Sequence, residues 1–578
     1  MHGFAVQISL NGIVGNGSFV WKPLFEFQSK HISRHFESEN VRVEQFCSEK
    51  FIDQKLWIDT NDFFCVTDGV VTNLKDLKIQ YNCDSNSELL TVISKSKEFF
   101  KAFTGHFAGF IWYKNNNEFI AFNNHCGTKK VFYYQDKHSI LFATDLFTLS
   151  RKLDELNISK SIDNDAAYLL LTSGFMHEDY TLIKEVKQLR AGECAVFGDD
   201  KFKIQSYFNL KNIIENNDTK EVIINQLEEL FVKAIRTEFD LDETANKTPL
   251  TTLSGGLDSR MVALMSNKVG YRNQKFINFS EKGYADEIIA RQIAETYQVD
   301  MFQIPLSAMG LCAIDEVVRV NDGLTLYTGS GHVFEALRKL ESTAQIDVEK
   351  IGFVHTGMIG DAVLGSFLTS TEENKPKLTD GLYSKGLLHK VSDTLKKHIE
   401  KYDNEELYKF YNRAFLGANN GFLYFDLIGE SSSAFLFPEF LSYAYAIPRK
   451  YKFNEQIYID WIKSRHPEFS NFKWEAIAGK PTNNNLVRQF YRYRRAVAKR
   501  LPFKSMWKNN MNPEQIWYDN FPYVKDTLDQ YFEINKELPA EYAELNNDLI
   551  WLYKNGNITE KTQVLTFLSA YKLLFSHV

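Results

Sequence analysis

Chemistry is most concentrated between Leu253 and Arg260, where the chain reads LSGGLDSR. Gly255 and Gly256 lack Cβ atoms, so the backbone can approach an anion closely and take left-handed conformations. The apolar run TPLTTL ahead of the loop predicts a buried strand, and RMVALMSNKV behind it predicts a helix. The free N–H groups and positive dipole end of that helix favour phosphate. Ser254 and Ser259 add hydroxyl donors. A Walker loop would end in Gly-Lys-Ser/Thr; here an acid, Asp258, stands at the phosphate end. A carboxylate beside polyphosphate needs a cation between them, and Mg²⁺ takes one or two protein carboxylates plus phosphate oxygens. Read blandly, the segment is a tight turn whose Gly and Asp cap a helix. The complete string favours the phosphate reading.

Around this loop the pattern changes along the chain. Residues 1 to about 210 are β-rich, with short runs such as FAVQISL, DFFCVTDGVVTN, GHFAGFIWYK and HSILFATDL between Asn, Asp and Gly turns. That spacing predicts layered antiparallel sheets. A polar stretch, NIIENNDTK (Asn212 to Lys220), reads as a linker. Beyond it Ile223, Leu227, Leu230 and Ala234 fall at helical spacing, and KFINFS precedes a helix opening at Ala285-Asp286-Glu287. Alternating strands and helices predict a parallel sheet with flanking helices, mostly helical from about residue 380.

Bulk properties bound the function. A chain of 578 residues is long for one core, so two domains are expected, at 1–210 and 220–578, the second carrying a helical extension from about 490. The net charge of −7 argues against a nucleic-acid partner. One local exception is the basic stretch Arg488 to Arg500, RQFYRYRRAVAKR, read as a solvated helix face or a lid over anionic substrate. Cys47, Cys65, Cys83, Cys126, Cys194 and Cys312 are scattered, without zinc spacing, and are expected to be reduced. The start, MHGFAVQISLNG, has no signal-peptide pattern, and no apolar run suits a membrane span, so the expectation is a cytoplasmic protein.

SGGLDSR resembles the pyrophosphate loop of the N-type ATP pyrophosphatases, and further segments resemble the asparagine synthetase family within that group. TGMIGDAVLGSF (Thr356 to Phe367) holds the spacing of the family's second phosphate loop at Gly357, Asp361 and Gly365. AFLFPEFLSYAYAIP resembles its Pro-Phe-Leu-Asp segment, and WEAIAGKP (Trp474 to Pro481) resembles the segment bearing a catalytic lysine, here Lys480. GHFAGFIWY, NNHCGTKKVFYY and LFATDL resemble its N-terminal glutaminase-like domain. The resemblance implies an Ntn-hydrolase-like antiparallel β-sandwich followed by an adenine-nucleotide alpha-hydrolase-like parallel sheet with extra C-terminal helices. It implies ATP and Mg²⁺ as cofactors, a carboxylate activated as acyl-AMP with release of pyrophosphate, and an amine or ammonia as the second substrate. Ser254, Gly255, Gly256, Asp258, Ser259 and Gly357 would hold pyrophosphate and metal, with Asp258 and Asp361 as the metal-binding carboxylates. Leu253 and Phe279 would flank adenine, and Lys480 would neutralise charge in the transition state.

Departures from the family narrow this reading. Met358 stands where the family carries a Glu thought to act on the incoming nitrogen, and Phe437 replaces the Asp of Pro-Phe-Leu-Asp; both are expected near the acceptor pocket. Met1-His2-Gly3 replaces the family's Met-Cys-Gly, so the thiol nucleophile is missing and the glutaminase half is expected to be degenerate. Asn73 resembles an oxyanion-side residue of that domain. Relatives without the Cys include lasso-peptide macrolactam and β-lactam synthetases and enzymes that amidate sugar acids. The alternatives are asparagine synthase itself, a macrolactam or sugar-acid amide synthetase, and a catalytically silent ATP-binding scaffold. A homodimer is one assembly open to such a chain.

Overall fold

Strands that alternate in burial have one face in water, whereas strands covered on both faces become continuously apolar. Phe63–Val71 is buried at every position, and Gly3–Ser9 at all but its last, so the sheets that hold them must be covered on both sides. The computed structural model of the protein describes residues 2–14, 17–19, 30–306, 308–342, 346–498 and 513–576.

Two six-stranded antiparallel sheets fill the N-terminal part. In the first, Gly3–Ser9 lies between Ser139–Ala143 and Val41–Ser48. In the second, Gly105–Tyr113 lies between Phe63–Val71 and Glu118–Asn123. Phe4, Val6, Val43, Phe64, Phe110 and Phe142 interdigitate between them. The outer faces carry helices that the β-rich reading did not anticipate: Leu74–Tyr81 and Asn86–Ile93 on the second sheet, Leu146–Glu155 and Asn164–Ser173 on the first. Their short amphipathic runs sit inside a sequence dominated by strand residues, so period alone did not separate them.

A long helix, Lys220–Thr244, opens the second part; Thr219 caps it by accepting from the Val222 amide. Its buried Ile223, Leu227, Phe231, Ala234 and Ile235 make the stripe expected from the sequence. The sheet behind it has five strands, all parallel, in the order Met301–Ile304, Lys275–Phe279, Thr248–Thr252, Ile351–His355, Glu430–Ser432. The chain moves outward one way from Thr248–Thr252 and later resumes on its other side. That reversal creates a crevice at the C-terminal ends of Thr248–Thr252 and Ile351–His355, where ligands of such sheets bind.

The C-terminal helices Pro522–Asn535, Ala543–Asn555 and Ile558–Phe575 do not stand apart. Ile558–Phe575 packs on Asn164–Ser173 and Leu146–Glu155 of the N-terminal part and on Ile314–Val320 of the second. Polar ties join the same surfaces: the Tyr168 hydroxyl donates to Asp548 Oδ2 at 2.7 Å, and Lys160 Nζ donates to the Leu574 carbonyl at 2.7 Å. The six cysteines are unpaired thiols. Among the described residues no helix is long and apolar enough to cross a membrane.

Candidate active site

Leu253 to Ser259 leaves the C-terminal end of the central strand and enters the helix Asp258–Lys268. Short bonds shape the loop. The Ser254 amide donates to Ser259 Oγ at 2.9 Å, the two hydroxyls lie 2.7 Å apart, and the Gly256 amide donates to Ser254 Oγ at 3.1 Å. From outside, Asp286 accepts from the Gly255 amide at 2.7 Å, and Asn278 Nδ2 donates to both Asp286 (3.0 Å) and the Leu253 carbonyl (2.8 Å). Arg260, almost fully buried, donates to the carbonyls of Gly255, Phe469 and Lys473 and ties the loop to the 469–475 segment. Burial pushes the Asp286 carboxyl up to about 6.

The second loop, residues 356–361, meets the first with almost no space between backbones. A Cβ on Gly357 would lie 2.2 Å from the Ser259 nitrogen, and one on Gly360 2.8 Å from Asp258 Cγ. Both positions therefore require glycine. Between them Ile359 has φ +67°, a left-handed conformation that is an outlier for a β-branched residue and the kind of strain that clusters at functional sites. At the loop's end the Asp361 amide donates to Asp258 Oδ2 at 3.0 Å. Asp258 Oδ1 is inaccessible and has no hydrogen-bond partner among the described residues. Burial first, then the charges of Asp361 and Glu455, raise the Asp258 carboxyl well above its ordinary range; the Asp361 amide and the Tyr458 hydroxyl offset this only in part.

A cavity of about 310 Å³ opens over these loops. Leu253, Ser254, Gly256, Asp258, Ser259, Phe279 and Gly357 line it, together with Asn278, Asp286, His332 and Met358. Gly255 lies behind the loop, where a Cβ would meet Glu475 at 2.9 Å. Asp361 is exposed beside Asp258. Lys480 is exposed and outside the cavity wall, in a segment pinned by the Trp474 amide on the Gly479 carbonyl (2.7 Å). Phe437, expected near an acceptor, is instead buried in the apolar core behind the sheet, because it ends a turn whose neighbours Phe435 and Phe440 pack inward. Arg488 is buried and donates to Gln456 Oε1 at 2.6 Å, so the basic stretch is not solvated at its start; residues 499 and 500 lie outside the described residues. Sequence reasoning missed Asn278 and Asp286 as loop supports. A polar Asn inside the apolar run KFINFS was the available signal, since a buried amide needs partners.

The N-terminal part holds no comparable arrangement at His2. Its ring packs on His31 and Phe46, with centroids 4.6 and 5.9 Å away. Burial, then His31, lowers its pKa well below the usual histidine value, so the imidazole is neutral. Cys47, on the strand Val41–Ser48 paired with Gly3–Ser9, is buried, and burial pushes its thiol up to about 11. Both polar atoms of the Asn73 amide are engaged, Nδ2 on the Ala102 carbonyl (2.8 Å) and Oδ1 on the Thr104 amide (3.0 Å). Another string, Ser432–His355–Asp242 at 3.0 and 2.8 Å, mimics a hydrolytic triad but is wholly buried, so it braces the sheet.

Similarity to known proteins follows the same division. Residues 50–208 match a glutamine amidotransferase domain family. The chain is 25% identical over 225 residues to an asparagine synthetase 2 candidate of Methanocaldococcus jannaschii, covering 37% of this chain and 42% of that protein. It is 20% identical over 260 residues to asparagine synthetase 1 of Bacillus subtilis, covering 43% of this chain and 39% of that protein. The chain thus spans about two fifths of the length of these relatives (42% and 39%). A solved glutamine phosphoribosylpyrophosphate amidotransferase of B. subtilis is 12% identical, covering 46% of this chain and 51% of that one, at a TM-score of 0.19 that carries no argument. The chain is thus similar to asparagine synthetases over about two fifths of its own length, and to a glutamine amidotransferase domain over residues 50–208.

Proposed function

We propose that the protein is an ATP-dependent carbon–nitrogen ligase that activates a carboxylate as acyl-AMP and takes its nitrogen from ammonia or a substrate amine, not from glutamine. One observation carries the reading: Asp258, with its buried and unpartnered Oδ1, is brought against Asp361 at the mouth of a cavity walled by the SGGLDS loop. No group of three or more His, Cys, Asp or Glu side chains among the described residues is arranged to hold a metal. Mg²⁺ fits such a sparse donor set, because phosphate oxygens complete its shell. Asp258 and Asp361 would hold it, and it would supply charge neutralisation for departing pyrophosphate. Ser254, Ser259 and the amides of the loop would hold the phosphates, and Leu253 and Phe279 would flank the base. The substrate carboxylate attacks the α-phosphorus, pyrophosphate leaves, and the amine then displaces AMP.

Three features support excluding glutamine: a neutral, half-buried His2 where the family's thiol stands, a protonated Cys47 on the neighbouring strand, and an Asn73 amide already committed to backbone. The decisive assay is substrate-dependent ATP–pyrophosphate exchange with purified protein, together with glutamate release from glutamine. The expected result is exchange and AMP formation with ammonia or a primary amine, and no glutamate. Nucleotide binding without exchange across candidate carboxylates would establish the silent scaffold instead. Glutamate release that disappears on His2→Ala would return the chain to the glutamine-dependent synthetases.

A further inference from the structure

A second cavity, of about 380 Å³, lies beside the first. Its wall draws on several distant regions, among them Phe175 from the N-terminal part, Arg413 and Gly421 from the turns at 410–421, and Glu514 and Thr559 from the C-terminal helices. The two cavities approach each other at Met358. A Cβ on Gly421 would lie 2.8 Å from Met358 Cε, and Met358 lines the nucleotide cavity. Nearby, His332 also lines the nucleotide cavity, and its Nε2 is 3.7 Å from Glu514 Oε1.

Arg413 and Glu514 are the charged residues of this wall. Arg413 is exposed and sits in the widened π-type turn Phe410–Gly417, an irregularity that recurs at functional sites. Its guanidinium lies 5.8 Å from the Phe367 ring centre and meets no carboxylate among the described residues. That leaves its planar fork of donors free for a carboxylate or phosphate. Glu514 has a side chain only 13% exposed, and its Oε1 faces the His332 ring. His332 is buried, and neither of its ring nitrogens has a hydrogen-bond partner among the described residues. A buried imidazole without a hydrogen-bond partner among the described residues, beside a half-buried carboxylate, is a place where a ligand's polar group fits.

We propose that the second cavity binds the amine substrate: a primary amine that also carries an anionic group, of amino-acid to dipeptide size. The anion rests on Arg413, and the amine lies on Glu514, beside the nucleotide cavity. This rests on the AMP-forming ligase reading and names its nucleophile. The bound ammonium gives one proton to Glu514. Its freed lone pair forms the C–N bond at the activated acyl carbon, the bond from that carbon to the AMP oxygen breaks with its electrons leaving on AMP, and the second proton passes to His332. Glu514 thereby takes the task that Met358 cannot perform.

The test is calorimetric titration of the full chain, with and without Mg²⁺ and α,β-methylene-ATP. The probes are the proteinogenic amino acids, glycyl dipeptides, taurine and phosphoethanolamine. At least one probe should bind saturably, and N-acetylation or neutralisation of its anion should weaken it by about tenfold or more. Arg413→Gln should weaken it similarly with Arg413→Lys restoring part of the loss, and Glu514→Gln should erase the difference between the free and N-acetylated forms. The proposal falls if no probe binds, or if affinity ignores N-acetylation and both substitutions. If Glu514→Gln does not fold, the N-acetyl comparison on the unaltered chain decides. Binding of the nucleotide analogue to the unaltered chain separates the two readings: analogue bound without any amine overturns this inference alone, whereas no analogue bound overturns the ligase.

Discussion

Asp258 and Asp361, 103 residues apart, are joined by a 3.0 Å hydrogen bond from the amide of the second to the carboxylate of the first. The bond aims Asp361's backbone at one oxygen of Asp258 and leaves the other, Oδ1, buried and unpaired. The half-buried carboxyl of Asp258 is thereby held beside the exposed Asp361, an arrangement that a divalent cation relieves.

Asp258→Asn and Asp361→Asn should each lower AMP formation by about a hundredfold or more while the protein still folds. Asp258→Asn should in addition raise the melting temperature measured without metal at neutral pH. The folded-state pKa of Asp258 is raised by burial and by Asp361 and Glu455, so its ionised form is penalised in the native state above that pKa. Removing the charge removes the penalty. Unchanged turnover in Asp361→Asn would show that the second loop is not part of the metal site.

Gly357→Ala tests the contact between the loops. Its Cβ would have to occupy a point 2.2 Å from the Ser259 nitrogen, so one loop must move. The expected outcome is a loss of activity of at least about tenfold with a cooperative thermal transition retained, because the displaced atoms are phosphate-binding donors rather than core. Full activity would mean that the loops separate freely.

Lys480 is exposed and outside the cavity wall. If it neutralises charge in the transition state, the Trp474–Lys480 segment must close on the site during turnover. Ala478, with φ +53°, marks a backbone position within that segment already in the left-handed region. Lys480→Ala should cost about a hundredfold in kcat with ATP affinity little changed. Weakened ATP binding at normal saturated turnover would make it a ground-state clamp.

Asp286 sets an acid limit. Burial raises its carboxyl from 3.8 to about 6. Below that pH it gains a proton and loses its charge-assisted bond to the Gly255 amide, so kcat/KM for ATP should fall on the acid side near pH 6. Stability should move the other way. The native carboxyl holds its proton more tightly than the unfolded one, so this group's contribution rises as pH falls from about 6 towards 3.8. Asp286→Asn should flatten both profiles in that interval.

Local order was readable from the chain. Thr248–Thr252, the glycines after it and the helix from Asp258 are contiguous, and each is dictated by its own apolar pattern or its missing Cβ. The same holds for the stripe of Lys220–Thr244, and for the contrast between strand-rich and alternating halves. Position across the sheet is another matter. Asp286 and Asn278 look like ordinary surface or helix residues in a linear reading, yet both hold the loop through bonds that exist only once two strands are parallel neighbours, and Arg260 ties it to the distant 469–473 segment. Glu514 and Arg413, 101 residues apart in the chain by subtraction of their numbers, share a cavity only because the C-terminal helices dock on both halves of the molecule. Periodicity reports which face of an element is apolar. It carries no information on which distant element covers that face, and the second cavity is made wholly of such encounters.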